Sequence, residues 1–224
     1  MDIRQTDPGG LRQRLSQVLA ARPLLRGLLR ALGAGGFCFV LAGAGLLDGP
    51  VPLALAPVCV LPFGPAAICA YLGAAAGYAV FWGLSAALEP VAAGFLLLAD
   101  SCLLADLVPD EQGWLASAAA GGIYALLGII FVLRADGGLQ AALQLSLRLV
   151  LLTLSVRMLS PAPANARLRP YAAAVCLLAG LVRVQLPFGV PLAVIPAAAI
   201  CVLAAAGPEA LAVGAACGLV LDLG

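Results

Sequence analysis

Forty consecutive residues, 49–88, carry no charged side chain, and Asp48 and Glu89 bound the stretch. Further charge-free runs cover 17 residues between Arg30 and Asp48, 22 between Glu111 and Arg134, and 25 between Arg183 and Glu209. Crossing the ~30 Å hydrocarbon core of a bilayer takes about 20 helical residues. Inside lipid every backbone N–H and C=O needs an internal partner, which leaves helices or closed barrels. A barrel would alternate apolar and polar residues over ~10-residue strands, whereas these runs are apolar on all sides. The chain therefore reads as all-α: a polytopic transmembrane helical bundle of about 8–10 membrane segments, some broken at Pro-Gly.

Composition supports this reading. Of 224 residues, 63% are hydrophobic and 10% charged, against about 45–50% and ~25% in soluble domains. Twelve basic residues, all Arg, and eleven acidic ones cannot clothe a soluble domain of this length. The same numbers exclude a disordered chain, a disulfide-stapled secreted module and a nucleic-acid binder, so the lipid bilayer is the expected partner. The seven cysteines stand apart in apolar runs, with no CxxC and no His. They read as small buried thiols, and no metal or cofactor is expected.

Residues 1–30 form a basic amphipathic segment, in which Leu11, Leu15, Val18, Leu19, Leu25, Leu28 and Leu29 recur at helical spacing among Arg12, Arg14, Arg22, Arg26 and Arg30. The positive-inside rule makes that end cytoplasmic. It is too long a leader for a cleaved signal peptide. Residues 31–224 form the multi-pass membrane domain. A first crossing is expected over 31–47 and a short, broken or re-entrant piece over 51–62, where Pro50, Pro52, Pro57 and Pro62 interrupt the helix. A regular helix is expected from Pro65 to Leu84, followed by segments at 90–107, 114–133, 139–159, 170–186, 190–206 and 208–224. The link 160–169 carries Arg167 and Arg169 and reads as cytoplasmic, whereas 108–113, with Asp110 and Glu111 but no Arg, suits the outside or is neutral. The N-terminus and the 160–169 link share the cytoplasmic side if 51–84 makes two passes. The chain ends at Gly224 inside an apolar segment, which leads us to expect continuation into a cytoplasmic region.

Three sets of residues stand out. Pro62-Phe63-Gly64 recurs as Pro187-Phe188-Gly189, each after a Leu, as turn motifs. Gly73/Gly77 and Gly214/Gly218 make two GxxxG faces, where absent side chains let a second backbone approach, within the bundle or in a homo-oligomer. Asp100, Arg148 and Arg183 are candidate intramembrane charges, and an Asp100–Arg148 pair would offset the desolvation of both. Glu89, Asp106 and Arg157 lie nearer segment ends and read as interface residues. No GxSxG, HExxH or phosphate loop is present, nor any paired-carboxylate motif, so no catalytic residue is assigned and the chain is not expected to be an enzyme.

The stretch LPFGPAAICAYLGAAAGYAVFWGLSAALEPVAAGFLLLAD, residues 61–100, resembles the membrane region of the stage II sporulation protein E family. Its Pro-Phe-Gly turn opens a small-residue helix that continues through Leu72, Gly73, Gly77 and Tyr78. The resemblance implies a multi-helix membrane anchor that oligomerises and tethers a cytoplasmic metal-dependent serine/threonine phosphatase at the division septum during sporulation. It also implies contact with the division protein FtsZ through regions outside this chain. The acidic metal-binding motifs of such a phosphatase are absent here, so catalysis is not carried over. The alternatives are a small-solute transport component, of the vitamin-importer substrate-binding type, or a passive cell-division scaffold. A transporter would hold Asp100 or Arg148 in a concave polar pocket near the midplane; an anchor would pair them or place them at the interface.

Overall fold

The computed structural model describes residues 23–46, 49–104, 114–134, 138–161, 169–184, 191–204 and 214–218. The fold is an all-α helical bundle. Helix α1 spans Pro23–Leu41 and leads into a two-strand ribbon, β1 (Gly45–Leu46) and β2 (Gly49–Pro50). A 3-10 turn (Pro52–Leu55) and a short α2 (Ala56–Val60) follow. Then come α3 (Pro65–Leu104), α4 (Trp114–Arg134), α5 (Leu139–Leu159), α6 (Arg169–Leu181) and α7 (Val194–Ala204). Residues 214–218 are also helical.

Helices α1, α3, α4 and α5 are long and apolar enough to cross a membrane. Their packing is that of a lipid-facing bundle. Small side chains such as Ala54, Ala70, Ala74, Ala93 and Ala120 fill the core, whereas Leu28, Leu84, Leu126 and Leu143 are more than half exposed. With hydrocarbon outside, large apolar residues gain nothing by turning inward, and close packing falls to small ones. The chain is a multi-pass membrane protein.

As one rod, the forty residues of α3 would measure about 60 Å, twice a bilayer core. The helix is instead folded back at Gly83, whose φ of 79° and ψ of 164° are open essentially to glycine alone. The Tyr71 hydroxyl donates to the Val91 carbonyl at 3.5 Å, and the Tyr71 and Phe95 rings lie 6.4 Å apart. Twenty residues of straight helix would separate the first pair by about 30 Å. The arms, 65–82 and 84–104, are therefore antiparallel. Pro90 lies inside the second arm, fully buried, rather than at its start.

The first arm runs parallel to α1. Gly35 meets Cys69 and Gly73, Phe39 and Ala42 meet Gly77, and Gly43 lies beside Phe81. Two consecutive parallel elements require the chain between them to return, and residues 44–64 make that return. The ribbon pairs Gly45 with Pro50 and Leu46 with Gly49. Val51 then sits at the level of Tyr78, whose hydroxyl donates to its carbonyl at 2.9 Å. Leu55 reaches Gly94, and Val60 and Leu61 share a cavity wall with Gly33 and Ala34 near the other end. Residues 51–58 are all buried, which is what permits irregular backbone at this depth. The Pro-rich return and the first arm are thus two passages of the bundle.

Hairpin α4–α5 is antiparallel, with Ser117 donating to the Thr153 carbonyl at 3.0 Å and Gly128 set against Leu145. Helix α6 climbs beside α1, so that Gly180 meets the Val40 carbonyl. The starts of α1, α4 and α6 and the ends of α3 and α5 accordingly share one end of the bundle, here the N-terminal end. The ribbon, Gly83 and the α4–α5 connection mark the far end.

Three boundaries differ from expectation. Residues 23–30 are helical and continuous with the first crossing in α1, which ends at Leu41 rather than at residue 47. Residues 1–22 lie outside those described. The flanks of 105–113, Leu104 and Trp114, sit at the N-terminal end, not opposite it; acidic residues carry little orientational information. Helices α6 and α7 are shorter than the expected 170–186 and 190–206. Of 208–224, only 214–218 are described.

The reversal yields a prediction. An added Cβ at Gly83 meets nothing within 4 Å, so Gly83→Ala tests the backbone alone. It should destabilise the detergent-solubilised protein by about 1–3 kcal/mol in thermal unfolding, with secondary structure retained by circular dichroism. The α1–α3 approach yields another. Gly73→Val drives its branched side chain into the Gly35 carbonyl and should cause a large loss of thermal stability, whereas Gly214→Val, where an added Cβ meets no atom within 4 Å among the described residues, should change it little.

Candidate functional site

Tyr124 is the middle residue of the 21-residue α4, and Arg148 lies one place from the middle of the 21-residue α5. Each is thus about 15 Å from its helix ends. The antiparallel register brings them together, and the second arm of α3 adds Glu89. Arg148 Nη1 lies 3.5 Å from Glu89 Oε2, with the two side chains 14% and 17% exposed. The Tyr124 phenol lies against both groups. On another side Arg148 Nη2 presses against Gly49 of the ribbon, where any Cβ would collide with it. Tyr78, fully buried, ties the adjacent carbonyl of Val51 to the first arm. Glu89 Oε1 is buried and accepts no hydrogen bond among the described groups. The ion pair thus joins α3 to α5, with α4 and the ribbon enclosing it.

This arrangement replaces the expected Asp100–Arg148 pair. Asp100 is eleven residues beyond Glu89 on the same arm, about 16 Å nearer the N-terminal end, away from Arg148. Glu89 directly precedes the segment expected at 90–107, which is why its sequence position suggests an interface residue. The chain turns at Gly83 instead, which carries Glu89 inward.

Arg183 stands apart from this cluster. It follows the end of α6, is exposed, and stacks over Trp82 with its guanidinium carbon 3.6 Å from the ring centroid. Trp82 Nε1 donates to the Ala42 carbonyl at 2.9 Å. The Arg–Trp stack at the far end suits a membrane–water boundary, where both residue types anchor.

The two glycine faces diverge. Gly73 and Gly77 are consumed within the chain, against the backbone carbonyls of Gly35 and Phe39. Gly214 and Gly218 have no atom within 4 Å of an added Cβ among the described residues. Of the turn motifs, Pro62-Phe63-Gly64 links α2 to α3, where Phe63 is about half exposed and the Gly64 carbonyl accepts from Ile68 at 3.0 Å. Pro187, Phe188 and Gly189 lie outside the described residues. The seven cysteines are free thiols, and although their sequence positions are isolated, Cys201 and Cys217 come together.

A cavity of about 620 Å³ opens at the N-terminal end among α1, α2, α5 and α6. Its walls include Phe37, Val60, Leu61 and Leu159, with Arg169 as the charged residue; neither Arg148 nor Asp100 lines it. Compared with family models, with curated proteins and with solved structures, the chain finds no match.

The buried pair predicts an asymmetric mutational pattern. Arg148→Met or Glu89→Met alone leaves an uncompensated charge and should destabilise the protein by about 3–5 kcal/mol. The double variant should recover most of that loss in a double-mutant cycle of detergent-phase unfolding.

Proposed function

We propose that the chain is an integral membrane anchor and assembly module of the type that the stage II sporulation protein E family uses to hold a cytoplasmic phosphatase at the division septum. The observation that carries this reading over a solute transporter is the fate of Arg148. It is taken up by Glu89 in a packed layer, and the cavity lies elsewhere with mostly apolar walls. A transporter needs its polar groups turned toward a solute. Here they are turned toward each other, which suits a rigid support.

Orientation is part of the proposal. Arg26 and Arg30 on α1, Arg157 near the end of α5 and Arg169 at the start of α6 gather at the N-terminal end, against Arg134 and Arg183 at the far end. The positive-inside rule makes the N-terminal end cytoplasmic, the side on which a tethered enzyme and the division protein FtsZ would be met. With Gly73 and Gly77 committed within the chain, a homo-oligomer face would use Gly214 and Gly218.

In a spore-forming host, N-terminal reporter fusions should give cytoplasmic activity, and a fluorescent fusion should concentrate at the sporulation septum. A periplasmic N-terminus would overturn the orientation. Solute uptake by proteoliposomes of the purified chain, abolished by Asp100→Asn, would replace the anchor reading with transport.

A further inference from the structure

The cavity at the N-terminal end has a wall chemistry that selects its occupant, and nothing in the anchor reading uses it. Gly33 and Ala34 of α1 form one wall, and Gly33 has no atom within 4 Å of an added Cβ. Val60 and Leu61 close the side of the Pro-rich return, and Leu159 that of α5. Its volume of about 620 Å³ falls within the roughly 300–1,000 Å³ of small-molecule sites. Among the described residues no Asp or Glu lines it, and the charged residue there, Arg169, is exposed at the rim.

Depth identifies what can enter. On α1, Arg26 and Arg30 are exposed and mark the headgroup level, and Gly33 lies three residues past Arg30, about 4–5 Å further in. Because Gly180 faces Val40, Arg169 at the start of α6 stands near the level of Arg30. The cavity therefore opens just inside the hydrocarbon, with a guanidinium at the level of the headgroups. A basic residue over an apolar recess between transmembrane helices matches an anionic phospholipid.

We propose that this cavity holds one anionic phospholipid of the bilayer, an acyl chain lying against Gly33, Phe37 and Leu159 and the phosphate facing Arg169. The site would tie α1, the Pro-rich return and the α5–α6 end together through a lipid and make the bundle responsive to anionic lipid content.

The test uses the full chain reconstituted in nanodiscs of equal parts phosphatidylglycerol and phosphatidylcholine, released for native mass spectrometry. One retained phosphatidylglycerol per chain is expected, with phosphatidylcholine retained at least about fivefold less, the preference that a single Arg near the headgroups provides. Arg169→Gln should remove that preference, and Gly33→Leu should fill the recess and abolish retention of either lipid. Thermal unfolding in lipid-free detergent checks that both variants remain folded. Equal retention of both lipids by the unsubstituted chain would overturn the proposal, as would retention that survives Gly33→Leu. So would the absence of any retained lipid. A periplasmic N-terminus would remove the anchor reading and leave this result standing, so the two can fail separately.

Discussion

The backbone-to-backbone approach of α1 and the first arm of α3 governs the rest of the bundle. Gly35 against Gly73, and Gly77 against Phe39, bring the helices closer than side chains would allow. In hydrocarbon, where apolar burial supplies little drive, this contact supplies dispersion energy that larger residues would forfeit. Because the two helices rise together, the intervening chain has to descend between them. The Pro-rich return is therefore a consequence of the glycine contact, and its ribbon and 3-10 turn are tolerated because neighbouring helices cover them.

The charged layer depends on that geometry. Tyr78 fixes Val51, Val51 follows the ribbon, and the ribbon places Gly49 against Arg148. The pair with Glu89 then ties this N-terminal unit to the α4–α5 hairpin at the middle of both helices. Taking two charges out of water is expensive, and their attraction only roughly offsets it. Such a pair is better understood as fixing which elements meet, and at what register, than as a reserve of stability.

Much of this architecture was legible in the chain. The charge-free run between Glu111 and Arg134 located α4 almost to the residue, and α5 matches the segment expected at 139–159. The prolines at 52, 57 and 62 announced a broken segment. The partner of Arg148 was not legible, because pairing depends on where α3 turns. Gly83 falls inside the helix expected from Pro65 to Leu84 and Pro90 opens the segment expected at 90–107, and only backbone geometry shows that the glycine reverses the chain while the proline is absorbed into the second arm. Nor does a GxxxG spacing state which backbone it will meet, so Gly73/Gly77 and Gly214/Gly218 looked alike and behave differently. The cavity was equally silent, since it is a gap between α1, α2, α5 and α6, elements far apart in sequence.

The parallel pairing of α1 with the first arm has a bearing on biogenesis. A segment of ten or so residues with five prolines around it is too short and too poor in internal hydrogen bonds to enter a bilayer alone. It gains its cover from Tyr78, Gly94 and α5, all translated later. During synthesis, therefore, α1 must wait in the membrane with its glycine edge bare, and the stretch behind it can settle only after the downstream helices arrive. Insertion of this protein cannot proceed hairpin by hairpin from the ribosome outward; its first half is completed by its second.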